Sequence, residues 1–421
     1  MPPKCSALLT LALCCKLVSA DRATVNETLS QNCPAWGREY AQMDALLARF
    51  KIASVAPRVS TPAADKGPIH VAFTVVQSAK DQRFPTGPFH DLRVAAISLL
   101  LSTDERVAFH VVTNREWFAM LENFFTELAA SVLNCCFTLY CVDMASMAPH
   151  MATLNISAPP ALWTRVLLPD ILTGVDDVIY LDTDLFFVSD IAELWAVRAT
   201  MPANVAMAAT PTGLDSVGRY CSCVMVLRLS LLRKIGTGAY NIFSMSHSTW
   251  LQTVERVVHN SDEFKGRKKD GSLHSIIFVE QKVYSWVGIA HKLVQPLPAA
   301  WNVEQCKISN RRFPVVGGSL GIVHFNCMET SKEGGKFSIV DSSTIARNDI
   351  VQHPIGAEQT STWNSYARFY GFYQSLPIDC LRKHLLSVVP NFRQHDGIPN
   401  LAHAVCGRGK DALGCRPYSP A

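Results

Sequence analysis

Two aspartates separated by one residue, Asp182 and Asp184, have the clearest capacity for chemistry in this chain. They follow an apolar stretch at 178–181 that predicts a buried strand, and the apolar pattern resumes at 185–188. Charged groups that interrupt a buried segment are costly unless they are paired or bind a metal. Carboxylate oxygens are hard ligands for a divalent cation, which can also hold a diphosphate. The pair therefore predicts a metal and nucleoside-diphosphate site, with solvated turn aspartates as the alternative.

The segments that must position these aspartates alternate between strand and helix patterns. Strands are predicted at 71–76, 108–113, 137–142 and 178–181, and helices at 92–101, 117–132 and 162–172. This alternation predicts a parallel sheet with right-handed crossovers, and ligands of such sheets bind at the carboxyl ends of strands. The less regular remainder predicts a strand at 224–229, a helix at 273–279, a turn at 301–302, a strand at 321–325 and a helix at 363–373.

Composition and charge narrow the class of protein. The chain has 421 residues, 48% of them hydrophobic, so it is long enough for a large α/β domain with a sizeable core. The formal net charge is only +4, from 39 basic and 35 acidic residues. This balance gives no general case for a nucleic acid or an anionic membrane as partner.

The N-terminal residues and the cysteines indicate export. Residues 1–20 combine Lys4, a short apolar stretch and small residues near a cleavage point, which is typical of a signal peptide, with an uncleaved anchor as the alternative. The chain contains 14 cysteines, and sequons for N-glycosylation begin at Asn26 and Asn155. The sequence therefore predicts the lumen of the endoplasmic reticulum and Golgi, or secretion, for a disulfide-bonded glycoprotein.

Four segments follow from these patterns. Residues 1–20 form the leader, and residues 21–68 form a spacer or stem whose later part is rich in Pro and Ala. Residues 69–378 carry the strand and helix pattern of the predicted catalytic domain. Residues 379–421 form a cysteine-containing tail.

Five motifs in order give the chain a family resemblance. They are Phe-His-Val-Val-Thr-Asn at 109–114, Val-Ile-Tyr-Leu-Asp-Thr-Asp at 178–184, Asp-Ile-Ala-Glu-Leu-Trp at 190–195, Leu-Pro-Ala-Ala-Trp-Asn-Val at 297–303 and Val-His-Phe-Asn at 323–326. With these motifs the sequence resembles glycosyltransferase family 8, the glycogenin and lipopolysaccharide galactosyltransferase group. Within that family it is most similar to the LARGE-type and glucoside-xylosyltransferase-like eukaryotic members.

The resemblance implies a fold and a reaction. The fold is a single Rossmann-like nucleotide-binding α/β domain with a mixed, mostly parallel sheet, the GT-A type of nucleotide-diphospho-sugar transferase. The reaction transfers a sugar from a UDP-sugar donor to a glycan or glycoprotein acceptor with retention of configuration. Mn²⁺ is the implied cofactor, with Mg²⁺ as the alternative. The donor sugar stays open among xylose, glucose, galactose and glucuronic acid.

The resemblance also implies site residues. By matching position, the metal ligands are Asp182, Asp184 and His324, and the alternative for His324 is an interior histidine without a metal. The implied donor-binding residues are Arg165, Asp182, Thr183, Asp184, Cys221 and Ser222. Asp270 and Ser272 occupy the catalytic acid positions.

Two motifs depart from the family pattern. Where the family has Asn-Ser-Gly, this chain has Cys221-Ser222-Cys223, and the second acid of an Asp-Gln-Asp motif is replaced by Ser272. A serine cannot supply charge to an oxocarbenium-like transition state, and a thiol hydrogen-bonds sugar hydroxyls poorly. Cys221 either lines the donor pocket or belongs to a structural disulfide.

These departures keep a non-catalytic alternative open, a lumenal sugar-binding domain that retained the fold and the metal site. A third alternative uses the same acids as the nucleophile motif of a haloacid-dehalogenase-type phosphatase. That motif usually opens its domain, whereas here more than a hundred residues of alternating strands and helices precede Asp182.

Overall fold

The computed structural model describes the parts of the chain that form the sheet and the helices around it. The described residues are 67–76, 87–103, 105–131, 135–142, 163–211, 220–234, 253–254, 256, 279–304, 321–325 and 378. Outside them lie the predicted leader at 1–20, most of the spacer at 21–68, both sequons, the predicted helix at 363–373, the tail at 379–421 and all but the last residue of the predicted helix at 273–279.

Ten strands and six α-helices are described. The strands are β1 (Ile69–Val75), β2 (Val107–Thr113), β3 (Cys135–Cys141), β4 (Asp177–Leu181), β5 (Leu185–Phe187), β6 (Met207–Pro211), β7 (Tyr220–Arg228), β8 (Val294–Pro296), β9 (Val303–Glu304) and β10 (Ile322–His324). The helices are α1 (Gly87–Ser102), α2 (Arg115–Ser131), α3 (Leu168–Ile171), α4 (Ile191–Thr200), α5 (Leu229–Lys234) and α6 (Val279–Ala290). Short 3-10 turns cover Thr164–Leu167 and Ala299–Trp301.

The larger sheet has seven strands in the order β3-β2-β1-β4-β7-β6-β8. Strands β1 to β4 pair in parallel, β7 is antiparallel to both β4 and β6, and β8 is parallel to β6. The sheet is therefore mixed and mostly parallel, as the sequence predicts. Because β7 runs against β4, the beginning of β7 lies beside the end of β4.

Two layers of apolar side chains cover the two faces of this sheet. Successive residues of a strand point to opposite faces, so Ile179 packs with one layer and Val178 with the other. Helices α1, α2 and α4 supply the first layer, and α3, α5 and α6 supply the second. Strand β2 is buried along its whole length, as expected for a parallel strand covered on both faces.

A second, three-stranded sheet lies next to the end of β4. Its order is β5-β10-β9, with β10 antiparallel to β5 and parallel to β9. The register places His324 opposite Leu185, the residue that follows Asp184. Residues far apart in the chain therefore meet here because β10 returns to the end of the aspartate segment.

The predicted elements compare with the observed ones as follows. The strands predicted at 71–76, 108–113, 137–142, 178–181 and 321–325 and the helices predicted at 92–101 and 117–132 are confirmed within two residues, apart from the start of α1, which lies five residues earlier at Gly87. The predicted strand at 224–229 is longer at its start, because β7 begins at Tyr220. The helix predicted at 162–172 is instead a 3-10 turn followed by the one-turn α3, which has Pro169 in its first turn. Proline lacks an N–H and therefore favours the start of a helix over its interior.

Four strands (β5, β6, β8 and β9) and three helices (α4, α5 and α6) were not predicted from the sequence. Among the described residues, no helix combines the length and the hydropathy that crossing a membrane requires.

Candidate functional site

Asp182 and Asp184 lie directly after β4, at the carboxyl edge of the parallel strands. Two backbone hydrogen bonds fix the segment between them. The N–H of Asp182 donates to the carbonyl of Cys223 over 2.8 Å, and the N–H of Phe325 donates to the carbonyl of Asp184 over 2.9 Å. Asp184 is buried and Asp182 is half-buried. The two carboxylates are therefore held between the start of β7 and the end of β10, which excludes the solvated-turn alternative.

His324 at the end of β10 completes a group of possible metal ligands. Its ring, the Asp182 carboxylate and the Asp184 carboxylate offer ligand atoms that all lie within 4.8 Å of one another. His324 is only 1% exposed, and its Nε2 lies 3.2 Å from Oδ1 of Asp184. Two carboxylates and one imidazole form a mixed oxygen and nitrogen donor set that suits a first-row divalent cation such as Mn²⁺.

Asn302 decides which nitrogen of His324 is available. Oδ1 of Asn302 lies 3.0 Å from Nδ1 of the ring, and because a carboxamide oxygen only accepts, Nδ1 carries the proton. In the neutral ring, the lone pair of Nε2 then faces the lone pairs of Oδ1 of Asp184. Two such atoms 3.2 Å apart require a proton or a metal cation between them. The residues present therefore fit a metal ion at this point.

Arg165 and Tyr180 hold the other carboxylate. Nη1 of Arg165 lies 3.1 Å from Oδ1 of Asp182 and donates to Oγ of Ser222 over 3.2 Å. The Tyr180 hydroxyl donates to the same Asp182 oxygen over 2.9 Å and lies 3.0 Å from Oγ1 of Thr74. Burial raises the pKa of Tyr180 well above its ordinary value, so this hydroxyl keeps its proton and remains a donor.

The backbone of Arg165 is fixed from a third element. The hydroxyl of Tyr284 on α6 donates to the Arg165 carbonyl over 2.7 Å. The guanidinium carbon lies 5.3 Å from the centre of the Tyr180 ring, so cation and ring also attract each other. A buried guanidinium held in this way presents a fixed positive charge beside the candidate metal ligands.

Cys221 and Cys223 form a disulfide at the beginning of β7. Of the two interpretations of these residues, the disulfide is thus the one present in the structure. The disulfide lies beside the candidate metal site, because both sulfurs and a ring nitrogen of His324 lie within 4.8 Å of one another. Whether Cys221 contacts a donor sugar stays a prediction.

The structure brings together most of the site residues named from the sequence. Arg165, Asp182, Asp184, Ser222 and His324 form one connected cluster, and Thr183 lies between the two aspartates. Asp270 and Ser272 lie outside the described residues.

Four further members of the cluster were missed as site residues, namely Thr74, Tyr180, Tyr284 and Asn302. Tyr180 and Asn302 belong to motifs quoted above, and a polar atom inside an apolar motif was the available signal. Thr74 and Tyr284 carry no comparable local signal, because their contacts join residues more than a hundred positions apart.

Part of this chain matches the model of a known protein family. The family model described as Glycosyl transferase family 8 matches residues 92–249. That range contains most of α1, all of β4, the two aspartates and Cys221-Ser222-Cys223. A comparison with curated protein sequences gives no significant match.

Solved structures with related folds include three glycosyltransferases. Mouse xyloside xylosyltransferase 1 is 16% identical, with 62% of this chain and 99% of that chain covered at a TM-score of 0.43. The galactosyltransferase LgtC in complex with donor and acceptor sugar analogs is 17% identical, with 61% and 87% covered at 0.41. GlyE of Streptococcus pneumoniae TIGR4 is 13% identical, with 79% and 67% covered at 0.44.

Because these TM-scores are low, the likeness to a known family rests on the family model, which matches less than half of the 421 residues. The matched range spans the parallel strands β2 to β4, the aspartate pair and the start of β7. Residues 92–249 of this chain thus match the model of glycosyltransferase family 8.

Proposed function

We propose that this protein is a retaining glycosyltransferase that moves a sugar from a UDP-sugar donor to a glycan or glycoprotein acceptor in the secretory lumen. The observation that carries the proposal is the convergence of Asp182, Asp184 and His324 on one point, with the buried guanidinium of Arg165 beside them. This combination offers ligands for a divalent cation and a separate cation for a diphosphate. The family match supports the same reaction class.

In this proposal the site binds Mn²⁺ through the two carboxylates and Nε2 of His324. A bound divalent cation would stabilise the charge that develops on the departing UDP. Arg165 would hold diphosphate oxygens, because a guanidinium matches their geometry with two parallel donors. The Ser222 hydroxyl, 3.2 Å from Nη1 of Arg165, would orient that guanidinium or donate to the donor itself.

Retention of configuration rests on the family resemblance. Asp270 would contact the transferred sugar or lie near the reacting carbon, and Ser272 stands where the family has a second acid. A front-face reaction, in which an oxygen of the departing phosphate takes the acceptor proton, needs no protein nucleophile. A covalent intermediate is the competing mechanism.

A second candidate is a catalytically impaired domain that binds a nucleotide sugar without transferring it. The disulfide favours this alternative, because Cys221 and Cys223 stand where the family has Asn and Gly. Incubation with UDP-sugars and Mn²⁺, read as release of free UDP, separates the two candidates. Release of UDP from at least one donor supports the transferase, and binding without release from any donor supports the impaired domain.

The metal assignment is tested by removing one charged ligand at a time. Asp182→Asn and Asp184→Asn each replace a carboxylate by a neutral amide of the same size, so Mn²⁺-dependent UDP affinity should fall by at least about 10–100-fold, the range for groups that only support a ligand. Asp177→Asn is the matched control, since Asp177 lies at the other end of β4 and pairs with Arg198 over 3.4 Å. If UDP affinity is unchanged in both site variants, and their circular dichroism spectra match that of wild type, the assignment of Asp182 and Asp184 as metal ligands is contradicted.

The proposed compartment has its own test. Expression of the full chain in eukaryotic cells should give a product that loses apparent mass on enzymatic deglycosylation and contains disulfides. A reduced and unglycosylated cytosolic product contradicts the lumenal location. It leaves the assignment of the metal ligands unaffected, because that assignment does not depend on the compartment.

A further inference from the structure

The beginning of β7 carries two cysteines on the face that meets the candidate metal site. Cys221 and Cys223 are two residues apart in a strand, so their side chains point to the same side. They are 3% and 8% exposed, and their Cα atoms are 5.3 Å apart. Both sulfurs and a ring nitrogen of the buried His324 lie within 4.8 Å of one another. Three potential metal-binding side chains therefore converge, but the disulfide occupies two of them.

The chemistry of this second group differs from that of the aspartate group. Two thiolates and an imidazole form the ligand set that Zn²⁺ takes in proteins, with a fourth position left for water or another ligand. Two carboxylates and an imidazole favour harder cations such as Mn²⁺ and Mg²⁺. A disulfide sulfur carries no charge and is a poor ligand for either class. The oxidation state of Cys221 and Cys223 therefore decides which set of ligands is available.

We propose that reduction of the Cys221–Cys223 disulfide creates a second metal site, formed by Cys221, Cys223 and His324, that takes Zn²⁺ and withdraws His324 from the aspartate site. The reductant is a dithiol or a phosphine. With a dithiol, two electrons and two protons pass to the disulfide, giving two thiols and leaving the reductant as its own disulfide. With a phosphine, the products are two thiols and the phosphine oxide, whose oxygen comes from water. Zn²⁺ then displaces the two thiol protons into solvent.

His324 makes the two sites mutually exclusive. Its Nδ1 is used as a donor to Oδ1 of Asn302, so Nε2 has the one lone pair available to a metal. A lone pair that binds Zn²⁺ with the thiolates cannot also bind a cation held by Asp182 and Asp184. The backbone joins the two sites further, because the carbonyl of Cys223 accepts the hydrogen bond from the Asp182 N–H over 2.8 Å.

The site itself is tested with Co²⁺, whose bonds to thiolates give a strong near-ultraviolet absorption. The full chain is reduced with a phosphine, the reductant is removed without air, and Co²⁺ is titrated. Reduced wild type should show a thiolate absorption that saturates at one equivalent of Co²⁺. Reduced Cys221→Ser/Cys223→Ser should lack that absorption, although it can still bind Co²⁺ at the aspartate site. Excess Zn²⁺ should abolish that absorption. Air-oxidised wild type, in which Cys221 and Cys223 form the disulfide, should lack the part of the absorption that comes from these two thiolates.

A second double variant controls for the other cysteines. Cys136→Ser/Cys141→Ser also removes two thiols, both on β3 at the far side of β2 and β1 from the site, and should keep the full Co²⁺ signal. Equal thiolate absorption in reduced wild type and reduced Cys221→Ser/Cys223→Ser would overturn the site. Where the serine variant folds poorly, alkylation of reduced wild type with and without one equivalent of Zn²⁺, mapped by mass spectrometry, decides the question. Zn²⁺ should protect Cys221 and Cys223 from alkylation, and equal alkylation of both residues with and without Zn²⁺ would overturn the site.

Competition for His324 rests on the proposed function and has a separate readout. UDP affinity in Mn²⁺ should be retained by oxidised protein and fall at least tenfold in reduced protein loaded with one equivalent of Zn²⁺. Absence of Mn²⁺-dependent UDP binding in oxidised protein refutes the proposed function, while the Co²⁺ result still decides the thiolate site. Normal UDP affinity in the Zn²⁺-loaded protein overturns the shared use of His324.

Discussion

Replacement of Asn302 tests whether the orientation of His324 is set for a metal. Asn302 is 1% exposed, and its Oδ1 is the hydrogen-bond acceptor that holds the proton on Nδ1 of His324. Asn302→Leu keeps a side chain of similar size but removes that acceptor. The ring is then free to place its proton on Nε2, and an imidazole protonated on Nε2 cannot bind a metal through that atom. We therefore expect Asn302→Leu to weaken Mn²⁺ binding although Asn302 itself is not a ligand.

The size of the effect follows from two separate costs. Loss of a partner that orients a metal ligand typically lowers metal affinity by about 10–100-fold, which corresponds to about 1.4–2.8 kcal/mol. The metal-free protein should lose less, about 1 kcal/mol, for two opposing reasons. The buried Nδ1–H loses its acceptor, but leucine also removes the Asn302 amide nitrogen, which has no hydrogen-bond partner among the described residues.

Isothermal titration with Mn²⁺ and urea unfolding with and without Mn²⁺ measure the two costs separately. Asn302→Asp is the matched control, because a carboxylate also accepts from Nδ1 and should preserve Mn²⁺ affinity. A purely structural Asn302 gives the opposite pattern, in which Asn302→Leu loses stability equally with and without Mn²⁺. Mn²⁺ affinity within threefold of wild type in Asn302→Leu refutes the reasoning.

Three further outcomes are expected. Tyr180→Phe removes the hydroxyl that donates to Asp182, a hydrogen bond to a charged group, and should lower the free energy of unfolding by about 1.5–3 kcal/mol in urea titrations. Gly321→Ala places a Cβ 2.5 Å from the ring of Trp301, so urea unfolding should show a loss of about 1–3 kcal/mol, and wild-type stability would mean that the ring moves freely. Burial lowers the pKa of His110 to about 3, so the unfolded state binds the extra proton between pH 6.5 and 3. Stability should therefore fall with decreasing pH in that window, by at most about 1.4 kcal/mol per pH unit from this group, and urea midpoints of His110→Gln should fall less steeply.

Local sequence pattern was sufficient for the parallel half of the fold. Strands β1 to β4 are apolar runs of regular length separated by helical periodicity, so their order of appearance and their type could be predicted. Strand β8 has only three residues and ends in a proline, and β6 is a short alanine-rich run, so neither has a distinctive pattern. The pairing that defines these strands is non-local, and no window of sequence contains it.

In the candidate site, too, local motifs identified some residues, whereas contacts between distant parts of the chain could not be predicted. Asp182, Asp184 and His324 could be named because motif positions identify them, and Arg165 followed in the same way. The sequence could not decide whether Cys221 forms a disulfide, because the proximity of two cysteine side chains depends on local backbone geometry. It also gave no reason to connect that disulfide with His324, which lies about a hundred positions later in the chain.

The position of the site has a topological cause. The chain builds β1, β2 and β3 outward in one direction and then returns to place β4 on the other side of β1. A crevice at the carboxyl ends of the strands is expected where strand order reverses in this way. Thr74 near the end of β1 and Tyr180 near the end of β4 are hydrogen-bonded across that point, and the Tyr180 hydroxyl also donates to Asp182.

The antiparallel β7 adds the second half of the site. A parallel neighbour would present its carboxyl end beside Asp182, but β7 presents its amino end, so Val224 lies opposite Leu181 and the carbonyl of Cys223 accepts from Asp182. A substitution at the start of β7 therefore acts on the aspartate segment, however far apart the two are in sequence. Cys221 and Cys223, which by the family resemblance stand at the positions of Asn and Gly, fall at this start. One short motif therefore brings thiol chemistry next to the candidate metal ligands.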